Sequence, residues 1–268
     1  MGPLLLGAVL ACRAVAPPSV DLGEAPEARQ LGERWIEQLQ GFDALEAYEL
    51  RLESYTLGFA VARQHRPGEV RVLTYVVRPR NLDEVAVLAR RRSGATLEVL
   101  SYVTSQLYGS GLGARQAGSV IRVPSLSQGL RLGAAAGIAV ELVAPLEVSD
   151  YRFERLPDAV VAGEPCTQLR AVPRTAGAHE LRLAISQRTG VALERVEFAP
   201  DGGETHRVEV SPQDVRQIGD RWVPSLQAVR TPDGSTAELR LVNAVPDVEL
   251  PEALFTSRAL QLQRFPSF

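Results

Sequence analysis

The sequence predicts an α+β chain that is mainly β: a curved antiparallel sheet with helices laid on it. Three observations carry this. From Leu146 to Ala244, strand-length segments follow one another, separated by short Gly- and Pro-containing turns. Along them one face is apolar and the other carries Arg and Glu, the pattern of an antiparallel sheet wetted on one side. A helical pattern stands ahead of the strands and another behind them.

In chain order, Pro3–Cys12 comes first, a short apolar run ending in cysteine. It suits the core of a signal peptide and falls short of the ~20 residues of a membrane span. Val9-Leu10-Ala11-Cys12 resembles a bacterial lipobox, so Cys12 is the expected lipidation site. An Ala14-Val15-Ala16 cleavage pattern is spoiled by Pro17. Residues 13–27 read as a tether, because Ala, Pro, Glu and Gly bury too little to order themselves. The expected organisation is therefore leader and tether over 1–27 and one domain over 28–268.

Pro26 to Leu45 has a helical pattern, with Leu31, Trp35, Ile36 and Leu39 on one face and Gly41 as the stop. Tyr55, Leu57, Phe59 and Val61 then alternate with small residues, Arg66-Pro67-Gly68 turns, and Val70, Val72, Thr74 and Val76 continue on one face. That is a hairpin. Leu82–Arg92 reads either as a helix capped by Asn81 or as a strand with a loop. Leu97–Thr104, Val120–Val123 and Ile138–Val143 are candidate strands, with small-residue segments at 109–113 and 133–137 between them. Strands follow at Val148–Arg155, Cys166–Val172, Glu180–Ser186, Ala192–Ala199, Thr205–Val210, Asp220–Arg230 and Thr236–Ala244. Pro251-Glu252 opens a closing helix over Ala253–Phe265.

Acidic and basic residues nearly cancel, with a net charge of −3, so nothing electrostatic favours nucleic acid or an anionic membrane. All the basic side chains are Arg. The two cysteines, Cys12 and Cys166, make no disulfide framework and no metal spacing; Cys166 reads as a small buried hydrophobe. His65, His179 and His206 fall in or beside turns without zinc-ligand spacing. Gly109–Gly113 lacks the Lys-Ser/Thr of a phosphate loop, and no nucleophile elbow is present. No cofactor is expected. Asp150 with Glu154, and Arg90-Arg91-Arg92, read as solvated charge.

Residues 150–264 resemble the outer-membrane lipoprotein-sorting, LolA-like family. The resemblance rests on Gly163-Glu164-Pro165-Cys166, on Leu183–Gly190 with Leu193-Glu194-Arg195, on Ile218-Gly219-Asp220-Arg221-Trp222-Val223-Pro224, and on Leu254-Phe255-Thr256-Ser257-Arg258-Ala259-Leu260. Ser125–Gly137 is a loose echo of a further family segment. The resemblance implies a half-open antiparallel β-barrel with helices covering its concave face. It also implies a non-enzymatic envelope carrier for acyl chains of lipids or lipoproteins, with export-system proteins as further partners.

Each buried methylene contributes about 0.8 kcal/mol, so one acyl chain contributes on the order of 10 kcal/mol before ordering costs. Trp35 and Leu39 on the helix, Tyr55, Leu57, Phe59, Val70 and Val72 on the hairpin, and Trp222 are the candidate lining. The same residues equally suit a filled core, and Trp222 equally suits a sheet anchor beside Pro224. The alternative function is an envelope interaction or stress-sensing module on the same fold.

Overall fold

The computed structural model describes residues 24–53, 56–77, 85–103, 120–123 and 145–262. Cys12, Tyr55, Asn81, the segments 109–113 and 125–143, and the end of the closing helix lie outside them.

Helix α1 (Pro26–Gln40) starts on a proline at its first turn and buries Ala28, Gly32, Trp35 and Ile36. At its end the Gly41 N–H donates to the Glu37 carbonyl, 2.9 Å away. Fifteen strands follow: β1 (Ala44–Leu52), β2 (Thr56–Arg66), β3 (Glu69–Val77), β4 (Val85–Arg92), β5 (Glu98–Val103), β6 (Val120–Val123), β7 (Tyr151–Val161), β8 (Glu164–Pro173), β9 (Glu180–Ser186), β10 (Ala192–Phe198), β11 (Glu204–Glu209), β12 (Val215–Ile218), β13 (Arg221–Pro224), β14 (Leu226–Arg230) and β15 (Thr236–Pro246). A short helix, α2 (Ser257–Gln261), closes the described chain; the Thr256 hydroxyl accepts from the Ala259 N–H at its start.

Thirteen strands form one antiparallel sheet in the order β6-β5-β4-β3-β2-β1-β15-β14-β11-β10-β9-β8-β7. Strand β15 pairs with β1, so the last strand stitches two meanders together in the middle of the sheet. Register shifts interrupt β1–β15, β7–β8 and β9–β10, and such bulges bend and twist a sheet. The bend brings its two wings together. Arg91 on β4 forms a forked ion pair with Asp150, just ahead of β7 at the opposite edge. The Gly94 N–H beyond β4 also donates to Glu147, at 3.1 Å. Among the described residues the seam is tied through the side chains of Asp150 and Glu147 and not by a backbone ladder, and the barrel is half-open.

Each face has its own cover. On the concave face α1 packs against Phe153, Leu169, Ala171, Leu181, Leu183 and Ile185. The same face continues as a cluster from Val99 and Val87 through Val72, Phe59, Leu57 and Leu50 to Leu239, Val229 and Val208. On the other face Leu45, Ala62, Leu73, Leu88 and Leu100 take Leu250, Phe255 and Leu260 from the C-terminal segment.

Several expectations are corrected. Of the two readings of Leu82–Arg92, residues 85–92 take the strand and not the helix, since Val87 and Ala89 alternate with Ala86 and Leu88 and both sets are buried. Helix α1 ends at Gln40, and Ala44 and Leu45 belong to β1, a strand the sequence reading did not assign. Val148–Asp150 is a 3-10 turn ahead of β7. Asp220–Arg230 breaks at Ser225, because β13 folds back on β12 as a separate ribbon. The closing segment is a 3-10 turn, Glu252–Phe255, followed by α2. Arg90, Arg91 and Arg92 are not loose charge: they pair with Glu98, with Asp150 and Glu147, and with Glu69. Nor are Asp150 and Glu154 simply solvated, for Glu154 is held by Arg152 and Arg170.

Candidate functional site

Helix α1, the β12–β13 ribbon and the concave face enclose a chamber of about 90 Å³. Its apolar wall is Trp35 and Leu39 from α1, Phe42 just beyond it, Val191 just before β10, Val208 from β11, and Trp222 from the ribbon. The chain's two tryptophans thus face one space from different elements. One hydrogen bond joins helix to ribbon, the Gln38 amide donating to the Trp222 carbonyl at 2.7 Å.

The opposite wall is polar. Glu46 and Arg63, neighbours on β1 and β2, form an ion pair at 3.5 Å with both side chains almost fully buried. Burial, reinforced by the negative charge of Glu46, holds the Tyr48 hydroxyl well above its ordinary pKa, so it remains a neutral donor to Glu46. Arg195 on β10 lines the same space, and burial pulls its guanidinium down to about 10, still charged at neutral pH. The Arg63 and Arg221 guanidinium groups stand 5.9 and 4.1 Å from the ring centre of Phe42.

Behind Trp35, Gln38 and Gly190, which border both spaces, lies an open groove of about 560 Å³. Leu31 of α1 and Ile185 of β9 make its apolar floor. Arg34, Arg155, Arg221, Glu27 and Glu37 rim it.

Of the residues singled out from sequence, Trp35, Leu39 and Trp222 meet at the chamber. Leu57, Phe59 and Val72 lie on the same concave face but pack into the buried cluster with Leu50, Val61 and Val76. Val70 is half-buried at the edge of that cluster, and Tyr55 lies outside the described residues. Phe42, Tyr48, Arg63 and Arg195 were missed. Tyr48 carried a signal, the alternation Tyr48-Leu50-Leu52. Arg195 carried none, because an arginine in a strand reads as solvent-facing.

The histidine reading is corrected. His206 is buried on β11, and with His179 it meets one carboxylate, Glu197 of β10; the His206 contact is 3.0 Å. Burial alone pushes the Glu197 carboxyl up, but hydrogen bonds and charge from His206 and His179 bring it below the usual carboxylate range. Cys166 is a free, fully buried thiol in an apolar cluster with Ala184, Leu193 and Val210. Among the described residues no group of His, Cys, Asp and Glu is arranged to hold a metal ion. None of the described helices is long and apolar enough to cross a membrane.

No family profile and no curated protein matches the sequence. Solved structures do. A domain from Vibrio parahaemolyticus named for outer membrane lipoprotein sorting superposes with TM-score 0.71 at 18% identity, covering 88% of this chain and 98% of that one. A DUF1329 family protein from Desulfovibrio piger gives TM-score 0.69 at 16% identity, covering 87% and 98%. A LolA superfamily protein from Nitrosomonas europaea gives 0.62 at 14% identity, covering 85% and 97%. The chain therefore has the LolA-like fold, along nearly the full length of these neighbours rather than over residues 150–264 alone.

Proposed function

We propose that this protein is a non-enzymatic carrier of the cell envelope that holds an acyl chain of a lipid or lipoprotein on its concave face. The observation that carries the reading is the chamber walled by Trp35, Leu39, Phe42 and Trp222, backing onto an open groove. The likeness of fold to a domain named for lipoprotein sorting supports it.

At about 90 Å³ the chamber has room for roughly three water molecules, against about 300–1,000 Å³ for a small-molecule site. The groove, at about 560 Å³, is within that range. An acyl chain therefore lies through the groove and reaches the chamber when the β12–β13 ribbon parts from α1, which breaks the hydrogen bond from Gln38 to Trp222. Leu57, Phe59 and Val72 close the concave face beyond the chamber as packed core, with Val70 at its edge. The groove floor, Leu31 and Ile185, is aliphatic and holds a tail through apolar contact, which favours release as well as entry.

The apolar leader and the lipobox-like Val9-Leu10-Ala11-Cys12 support export and acylation of Cys12, followed by a tether before the single domain. Glu24, in that tether, accepts from the Phe153 N–H at 2.9 Å.

The test is uptake of a fluorescent fatty acid by delipidated protein, read by energy transfer from the tryptophans. Saturable binding at micromolar or lower concentration is expected. No uptake by protein whose circular dichroism shows an intact sheet rejects the carrier reading and leaves the interaction-module alternative.

A further inference from the structure

We infer that the groove recognises an anionic head group, and that Arg221 is the residue that binds it. This deepens the carrier reading and rests on it: it names the cargo as an amphiphile bearing a carboxylate or phosphate.

The argument starts from the arginines. This protein engages its guanidinium groups thoroughly. Arg66, Arg71, Arg90, Arg91, Arg155, Arg170 and Arg207 each hold a carboxylate. Arg221 differs. Among the described residues it meets no carboxylate, and its guanidinium lies over Phe42 at 4.1 Å from the ring centre; its Nε, like those of Arg71, Arg91 and Arg170, is buried with no hydrogen-bond partner. A buried donor left unsatisfied is costly, more so when charged. A guanidinium held over a ring keeps its charge unneutralised, and such a group can take a carboxylate or phosphate.

Its setting fits. Arg221 stands where the groove meets the chamber, since it lines the first and rests on Phe42, which lines the second. On the rim three arginines face two glutamates. Arg155 is neutralised by Glu27 and Asp158, which leaves Arg34 and Arg221 against Glu37. Arg34 makes only a long 3.4 Å contact to the Gln30 carbonyl and is a second cation for the same head. A head held there places its tail toward Trp35 and Trp222.

The experiment compares ligands that share one hexadecyl chain: hexadecanoate, hexadecyl phosphate, hexadecanol and hexadecyltrimethylammonium. Binding to the full domain is followed by tryptophan emission. The two anions are expected to bind about tenfold more tightly than the alcohol, the size of one charge-assisted contact, and the ammonium more weakly than the alcohol. Arg221→Gln is expected to bring anions and alcohol within about twofold of each other, the ratio rather than either affinity being the readout. Arg221→Lys is expected to recover part of the preference, having the charge without the fork. Inorganic phosphate alone is expected to leave the emission unchanged; a response to it would reassign the groove to a free anion. Equal binding of alcohol and anions by the wild-type protein overturns the head-group assignment and leaves the carrier reading standing. So does a preference that survives both Arg221→Gln and Arg34→Gln. Failure of all four ligands overturns both.

Discussion

Gly32 is where the seating of α1 on the sheet is most exposed to test. A Cβ built on it falls 2.6 Å from two ring atoms of Phe153 and 2.7 Å from a third. Ordinary contact begins near 3.4 Å, so helix or ring must give by about 0.8 Å. Neither gives easily: Phe153 is fully buried and sits with Leu169, Ala171 and Leu181. Overpacking of this kind costs about 1–3 kcal/mol. Against it, alanine is favoured over glycine inside a helix by about 1 kcal/mol. Gly32→Ala should therefore lose up to about 2 kcal/mol net, seen as a lower urea midpoint at unchanged slope. Adding Phe153→Leu, which opens room above the new methyl group, should cost less in that background than alone. The displaced helix carries Trp35 with it, so tryptophan emission should shift as well. A Gly32→Ala protein more stable than the parent, showing the helix-propensity gain without the overpacking cost, would show that α1 does not lie this close to β7, and the chamber walls would have to be redrawn.

Three further outcomes are expected. Arg91→Ala removes the forked tie to Asp150 across the seam of the barrel and should cost about 2 kcal/mol in chemical denaturation, with faster uptake of ligand in stopped flow. Glu197 stabilises the fold through a depressed pKa, so its contribution is complete above the ordinary value of 4.5 and is lost as pH falls through the lower folded value. His206→Gln takes away a charged partner and should move the acid limb of the thermal midpoint to higher pH; an unmoved limb contradicts the assignment. Ala162 holds φ 47° beside Gly163 at 84° in the β7–β8 turn, a pair of left-handed residues that favours Asn-Gly. Ala162→Asn should raise stability by about 0.5–1 kcal/mol.

The strands and the covering helix were legible because burial there follows the chain's own period. Leu57, Phe59 and Val61 are buried at every second position, and Trp35 and Ile36 lie on the inner stripe of α1. Where polarity and direction part company, the reading failed. Arg195 and Glu197 face the concave side of β10, while Val196 and Phe198 face the other, Phe198 beneath the Arg182 guanidinium at 4.4 Å. A rule that sends charge to water turns that strand over. The break at Ser225 was equally hidden. Residues 220–230 have an unbroken extended pattern, and only pairing of β13 with β12, set by the Gly219 turn, separates the ribbon from the sheet. Half of the candidate site was visible as aromatic residues at plausible places. Its polar half, Glu46 with Arg63 and Arg195, exists only once β1, β2 and β10 are brought together.

The account stands on an oily chain reaching the space between Trp35 and Trp222. Titration with a fatty acid brominated near the end of its tail measures this directly, because bromine quenches indole only at contact. Saturable quenching of both tryptophans, retained for the remaining one in Trp35→Phe and in Trp222→Phe proteins, is the expected result. Binding that leaves both emissions at full strength would place the tail elsewhere and contradict the account.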